Sequence, residues 1–196
     1  MHPFKMRFSS IELRDLAKAW IVISLAFAVV HSKGFSLTQA FFTATAISAL
    51  TVGVGFLLHE LMHKYFAQKY GCRAEFRAFD FMLLVAFAMS FFGFVFAAPG
   101  GVFIGGNVNR ARSGRISAAG PLTNIVLAAL FLAAGFFAFS PFVAQIARYG
   151  ASINAWLAVF NMLPLMGLDG NKVLHWNMKA YAALMAASVA MMVLTF

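Results

Sequence analysis

The chain reads FFTATAISALTVGVGFLLHELMH over residues 41–63, an apolar stretch that ends in two histidines and a glutamate. Residues 41–58 carry no charge, and His59, Glu60 and His63 follow directly. An ionisable side chain in a membrane helix costs roughly 2.5–3.5 kcal/mol on insertion scales, so such residues usually have a function there. Residues four apart share one helix face, so both imidazoles can bind one metal ion with the glutamate beside them as a general base.

The composition indicates a membrane protein. Of the 196 residues, 62% are hydrophobic and 11% are charged, whereas soluble domains carry about 25% charged residues. We therefore expect a single multi-pass domain over residues 1–196. The net charge of +9 comes from basic residues that flank the apolar segments, where they set topology. No nucleic-acid partner is expected, and the sequence leaves the oligomeric state open.

The predicted fold class is an all-α polytopic membrane protein with about five to six transmembrane helices and a short re-entrant β-hairpin region. The first helix begins at a Ser9-Ser10-Ile11-Glu12 capping box. The predicted spans are residues 16–30, 37–66, 118–139, 152–163 and 176–196. The catalytic core is expected over residues 37–170, with flanking spans at 11–31 and 176–196.

Residues 72–107 allow two interpretations. Charged and apolar side chains alternate strictly over residues 72–78, and phenylalanines alternate over residues 92–96. A Pro-Gly-Gly turn follows, after which residues 102–104 could form a returning strand. These features are typical of a β-hairpin. Yet residues 81–98 carry no charge, which by hydropathy predicts a spanning helix. The positive-inside rule favours re-entry, because Arg110, Arg112 and Arg115 then lie on the cytoplasmic side. The N-terminus and the active site are accordingly expected to face the cytoplasm, in the cell membrane.

A catalytic zinc site needs a third protein ligand and an open position for water. Asp169 is the best candidate, because it follows the fourth predicted span at the same cytoplasmic depth as the histidines. Asp80 remains the alternative. Asn161, at the end of the same span, is a candidate for stabilising the oxyanion that forms when water attacks a carbonyl.

Three motifs resemble, in order, those of the site-2 protease family of intramembrane zinc metalloproteases. They are HELMH at residues 59–63, GPLTN at 120–124 and NMLPLMGLDG at 161–170. The resemblance implies one Zn²⁺ held by His59, His63 and Asp169, with Glu60 as the base. It also implies a substrate whose transmembrane helix is cleaved within or near the lipid bilayer. Family members often have prolines where this chain has Met166 and Gly167.

A helical substrate hides its carbonyls, so it must unwind before attack, and an exposed strand edge could hold the unwound segment. We expect this edge within residues 92–104, at Phe92, Phe94, Val102 and Ile104. Two alternative functions stay open: a membrane metal transporter or sensor, and an inactive relative that binds transmembrane helices without cutting them. The intact Glu60 argues against the inactive relative.

Overall fold

The computed structural model describes residues 5–95 and 98–196 of the chain. It is a helical bundle with one two-stranded sheet. The elements are α1 Ser10–His31, α2 Gln39–Ser48, α3 Val54–Lys69, β1 Arg73–Ala78, α4 Asp80–Ser90, β2 Gly100–Gly105, α5 Arg110–Gly135, α6 Pro141–Asn161, α7 Asp169–Trp176 and α8 Met178–Thr195. Five residues of π-helix, Ala49–Gly53, join α2 to α3 into one rod.

Three helices of the described chain are long and apolar enough to cross a membrane. They are the continuous rod Gln39–Lys69, then α5, then α8. The mostly helical fold is confirmed, and these three helices are compatible with a membrane protein, while the count of five to six spans stays a prediction. The histidines lie in the last third of the first of these helices.

The start of α1 is confirmed at the predicted residue, but the capping box is wrong. Ser9 is the N-cap, and its side chain accepts a hydrogen bond from the Glu12 N–H at 3.2 Å. The Glu12 carboxylate does not return to the N-cap. It reaches instead into the protein, to Lys64 and the backbone of Phe76, because a hydrogen bond from a charged ammonium group is stronger than one from a neutral backbone N–H.

Two helices begin about ten residues earlier than predicted. Helix α5 begins at Arg110, capped by Asn109, whose side chain accepts from the Arg112 N–H at 2.9 Å. Helix α6 begins at Pro141, with Ser140 as its N-cap, so residues 141–150 are helical rather than a loop. Hydropathy outlines the apolar part of a helix, whereas capping side chains decide where the helix begins.

The strand prediction for residues 72–78 is confirmed by β1, which pairs antiparallel with β2 from Arg73 opposite Gly105 to Ala78 opposite Gly100. Ala74 and Phe76 are buried on one face of β1, and Glu75 pairs with Arg77 at 2.5 Å on the other face. The antiparallel pairing returns the chain to the end of the sheet at which β1 began.

A spanning helix over residues 81–98 is wrong, and so is the strand predicted at Phe92 and Phe94. Helix α4 has eleven residues and is therefore about 16 Å long, half the thickness of a bilayer core. The Phe92 N–H bonds the Met89 carbonyl at 2.9 Å, and Gly93 has a φ of +87°, so a turn follows α4. The predicted alternation at Phe96 lies outside the described residues. A positive φ interrupts the extended backbone that the phenylalanine pattern suggested.

The packing places α5 at the centre of the bundle, against α3, α6 and α7. On the opposite side of α3, helix α1 packs against β1 and α4. An apolar core formed by α1, the π-helical turn, β1 and α4 fills that side, and its buried members include Leu16, Ile23, Val52, Phe76 and Leu83. Helix α3 thus has one face toward α1 and another toward α5 and α7.

Candidate metal centre

Three potential metal ligands meet where α3, α5 and α7 pack together. His59 and His63 extend from α3, and Asp169 is the first residue of α7. The Asp169 Oδ2 atom lies 3.2 Å from His59 Nε2 and 3.0 Å from His63 Nε2. All three side chains are buried. The structure therefore brings together the three residues that the sequence predicts as ligands, from positions 110 residues apart.

The Nδ1 atom of each imidazole, on the side of the ring away from Asp169, is held by a hydrogen bond. His59 Nδ1 lies 2.6 Å from Asn124 Oδ1, and His63 Nδ1 lies 2.8 Å from the Ile116 carbonyl oxygen. Both partners are oxygen acceptors, so each Nδ1 carries the proton and each Nε2 presents a lone pair toward Asp169. This is the usual arrangement of a metal-binding histidine, whose second nitrogen donates to an oxygen.

Helix α5 approaches the imidazoles closely because it has a glycine at the contact. A side chain at Gly120 would collide with the Nε2 atoms of both His59 and His63. Pro121 follows inside the helix, and the Thr123 hydroxyl donates to the Ala119 carbonyl at 2.8 Å. The Gly-Pro motif therefore lies inside α5, where it leaves the space in which a metal ion would sit.

Asp169 is presented by a short loop that joins α6 to α7. Gly167 in this loop has a φ of +92°, a conformation that favours glycine. Gly170 lies against the backbone of Met162, where a side chain would collide with the carbonyl group. The loop thereby places the buried Asp169 carboxylate oxygen within 3.2 Å of both Nε2 atoms.

The donor set fits zinc. Two imidazole nitrogens and one carboxylate oxygen form a common catalytic set, which leaves one tetrahedral position open. Ligands about 2.0–2.1 Å from a tetrahedral zinc ion lie about 3.4 Å apart. The two nitrogen–oxygen distances of 3.2 and 3.0 Å are close to that separation, and the ligand atoms all lie within 4.8 Å of one another.

A cavity of about 640 Å³ opens onto this group. Glu60 lines it beside both histidines, and so does Asn161. The Asn161 side chain donates to the carbonyl of Leu157, one turn earlier in its own helix, at 3.0 Å. Asp80, the alternative ligand, lies elsewhere: its exposed carboxylate binds Lys18 at the start of α4.

The same cavity is bordered by the outer edge of β2, a free edge on which no strand within residues 5–95 and 98–196 pairs. On the outer edge of β1, the Phe76 N–H donates to Glu12 Oε1 at 2.9 Å, and the Ala78 N–H donates to Asp15 Oδ2 at 3.3 Å. Because Phe76 is opposite Val102 in an antiparallel ladder, the backbone polar groups of Val102 and Ile104 also face away from the partner strand. Both residues line the cavity. The predicted edge is therefore corrected to Gly100–Gly105, without Phe92 and Phe94.

Sequence reasoning missed several polar partners behind the site. Asn154 lies in an apolar part of α6 and bonds Asn124, which in turn holds His59. The Ile116 carbonyl could not be foreseen, because every residue has such a group. An asparagine within an apolar helix was a usable signal, since burying an amide without a partner is costly.

One comparison identifies a relative. A Methanocaldococcus jannaschii protein named "Putative zinc metalloprotease" is 40% identical to this chain over 175 residues, which cover 87% of each sequence. No family model and no solved structure matches the chain. A zinc metalloprotease relative agrees with the His-His-Asp group that the fold assembles. The chain therefore belongs to the zinc metalloprotease family of this archaeal protein, and its cofactor is Zn²⁺.

Proposed function

We propose that this chain is an intramembrane zinc metalloendopeptidase of the site-2 protease type. It hydrolyses a peptide bond in or near the transmembrane helix of a membrane-protein substrate. The observation that carries the proposal is that the His-His-Asp group and Glu60 share one cavity, and that His59, Glu60 and His63 lie on a helix long and apolar enough to cross a membrane. The charge distribution supports a cell-membrane location with the N-terminus and the active site toward the cytoplasm.

In this proposal His59, His63 and Asp169 hold the zinc ion. When bound, zinc acts as a Lewis acid that activates water and polarises a peptide carbonyl. Glu60, which lines the cavity next to His59, takes the proton from water and later donates a proton to the leaving amine. Asn161 uses one N–H on the Leu157 carbonyl, and its second N–H is the proposed donor to the oxyanion.

The substrate is proposed to add as a strand to the free edge of β2. Val102 and Ile104 present backbone donors and acceptors at the wall of the cavity that contains Glu60. An extended peptide at this edge would expose its carbonyls, whereas an intact helix would keep them bonded. The covered edge of β1 leaves β2 as the side of this sheet on which the peptide can add.

The test uses the purified chain in liposomes with a panel of labelled single-pass peptides whose apolar segments contain glycine. We expect wild-type protein to cut at least one peptide within its apolar segment, as located by mass spectrometry. The isosteric change Glu60→Gln should lower the cleavage rate about 10²- to 10⁴-fold while zinc content stays unchanged.

The matched control is Glu75→Gln, which removes a carboxylate that pairs with Arg77 on the charged face of β1. It should cleave at the wild-type rate. Cleavage by Glu60→Gln at the wild-type rate would contradict the assigned base. Cuts confined to the soluble flanks of every peptide would contradict intramembrane proteolysis. Zinc binding without cleavage of any kind would favour the transporter, sensor or inactive-relative alternatives.

A further inference from the structure

Two buried asparagines pack in succession beside His59: Asn124 contacts its ring, and Asn154 contacts Asn124. Asn154 on α6 touches none of the three ligands, yet it bonds Asn124, whose side chain contacts the ring of His59. We propose that Asn154 is a positioning residue that fixes the tautomer of His59 through Asn124. This inference rests on the proposed metal site and extends it to a residue beyond the ligands and their direct partners.

The hydrogen bonds form one directed chain. Asn154 Nδ2 donates to the Gly150 carbonyl at 2.9 Å, which leaves Asn154 Oδ1 to accept from Asn124 Nδ2 at 2.9 Å. Asn124 Nδ2 also lies 3.4 Å from the Gly55 carbonyl. Asn124 Oδ1 is thereby turned toward His59 Nδ1, at 2.6 Å. An oxygen at this place requires the proton on Nδ1 and frees Nε2 for the metal.

The backbone carbonyls set the direction of this chain. The Gly150 carbonyl can accept but cannot donate, so Asn154 must present an N–H to it and its oxygen to Asn124. If the Asn124 amide turned over, its oxygen would face the oxygen of Asn154, and its NH₂ group would face His59 Nδ1. The first contact is repulsive, and the second stabilises the tautomer with the proton on Nε2, which cannot bind zinc there.

Burial strengthens the effect of Asn154 on the orientation of the Asn124 amide. Asn124 and Asn154 have no exposed surface, so water cannot replace a lost partner. Helix α3 makes room for the second amide with a glycine: a side chain at Gly55 would collide with Asn154 Oδ1. Gly55 precedes His59 by one helical turn, so the backbone that holds the amides and the metal ligand belong to the same helix face.

The experiment measures zinc affinity of the full-length detergent-purified chain by competition with a chelator, and the visible spectrum of the Co²⁺ form. We expect Asn154→Leu to weaken zinc binding about 10-fold or more and to change the Co²⁺ bands, as losses behind a metal ligand do. Asn154→Asp should stay near wild type. Its carboxyl group keeps an oxygen toward Asn124 and, when protonated, a hydroxyl toward the Gly150 carbonyl.

Two further variants separate positioning from general stability. Ser152→Ala removes a hydrogen bond of the same helix, from Ser152 to the Thr195 carbonyl at 2.9 Å, and should leave zinc affinity unchanged. In an Asn124→Leu background, Asn154→Leu should add no further loss of zinc affinity, because the proposed effect passes through Asn124. If Asn154→Leu does not fold, Asn154→Ala takes its place.

Wild-type zinc affinity and Co²⁺ spectrum in a folded Asn154→Leu variant would overturn this inference alone. So would equal losses in the leucine and aspartate variants, or losses that add to those of Asn124→Leu. A folded wild-type chain that binds no zinc would instead overturn the proposed function, and this inference with it.

Discussion

His63 and Lys64 are neighbours on α3, and they lead to two buried charged clusters on different faces of that helix. The metal cluster consists of His59, His63 and Asp169, between α3, α5 and α7. The lysine cluster consists of Lys64, Glu12 and the N–H of Phe76, between α3, α1 and β1. Both contain ionisable side chains in an apolar surrounding, but their partners differ.

The lysine cluster is complete in itself. Lys64 and Glu12 have no exposed surface, and the ammonium group bonds Glu12 Oε2. Glu12 Oε1 accepts from the Phe76 N–H at 2.9 Å, and the ammonium nitrogen lies 3.9 Å from the centre of the Phe8 ring. Positive and negative charge balance, so this cluster joins α1, α3 and β1 without needing a ligand.

The metal cluster is made of acceptors that converge. Two Nε2 atoms face one carboxylate oxygen, and a cavity with Glu60 in its wall opens beside them. Buried ionisable groups thus occur in this protein both with and without a proposed catalytic role. The two clusters differ in their hydrogen bonding. In the metal cluster, lone pairs converge beside a cavity, whereas in the lysine cluster each donor is paired with an acceptor.

Removing Asp169 should break the metal cluster with the largest effect. Asp169→Ala leaves two imidazoles, and we expect zinc to fall from about one ion per chain to a small fraction of that. Metal analysis of the purified protein measures it. The control Asp80→Ala removes an exposed carboxylate bound to Lys18 and should keep its zinc. Zinc lost from the control and kept in Asp169→Ala would reverse the ligand assignment.

Removing Lys64 should break the lysine cluster and leave the metal cluster intact. Lys64→Met strands the buried Glu12 carboxylate, and the free energy of unfolding should fall by about 3–5 kcal/mol. Unfolding in detergent and metal analysis measure the two effects. The double change Glu12→Gln and Lys64→Met should recover most of the loss, because glutamine still accepts from Phe76. The exposed Lys69→Met is the control. Zinc lost in proportion to stability would show that the clusters are not independent.

A substitution at Gly120, next to the imidazoles, should affect the metal cluster and leave the lysine cluster unchanged. Gly120→Ala places a methyl group against both Nε2 atoms, so we expect zinc affinity to fall about 10-fold or more with a small change in stability. Chelator competition measures it. Gly135→Ala is the matched control in the same helix, because its new methyl group meets Ala147 at an ordinary 3.6 Å. An equal effect of both changes on zinc would argue against a metal position next to Gly120.

The smallest effect is expected at the free strand edge. Val102→Pro removes one outward N–H and no bond to β1, so cleavage should fall about 3- to 10-fold with zinc unchanged. Peptide cleavage rates measure it. Val95→Pro, in a non-strand segment that also lines the cavity, is the control and should leave the rate unchanged. A normal rate for Val102→Pro would remove β2 from substrate binding.

The sequence predicted much of the site because its motifs carry their own geometry. Two histidines four apart must share a helix face, and the Asp-Gly loop follows a helix end, so His59, His63 and Asp169 could be named before any fold was known. Phe92 and Phe94 were wrong because their alternation resembles a strand although Gly93 turns the chain. Helix starts at Arg110 and Pro141 were missed because hydropathy does not register capping.

The sequence by itself determined the apolar class of the protein, the position of the metal helix and the identity of the three proposed ligands. The class and the histidine pair follow from composition and local spacing, whereas Asp169 follows from its predicted depth beside the histidines and from the motif resemblance. The tertiary structure decided which nitrogen of each histidine faces Asp169 and that Lys64 pairs with Glu12. It also decided which edge of the sheet stays free. Each of these depends on a contact between residues far apart in the chain, such as Asn154 with Asn124, and helix packing alone brings such residues within hydrogen-bond distance.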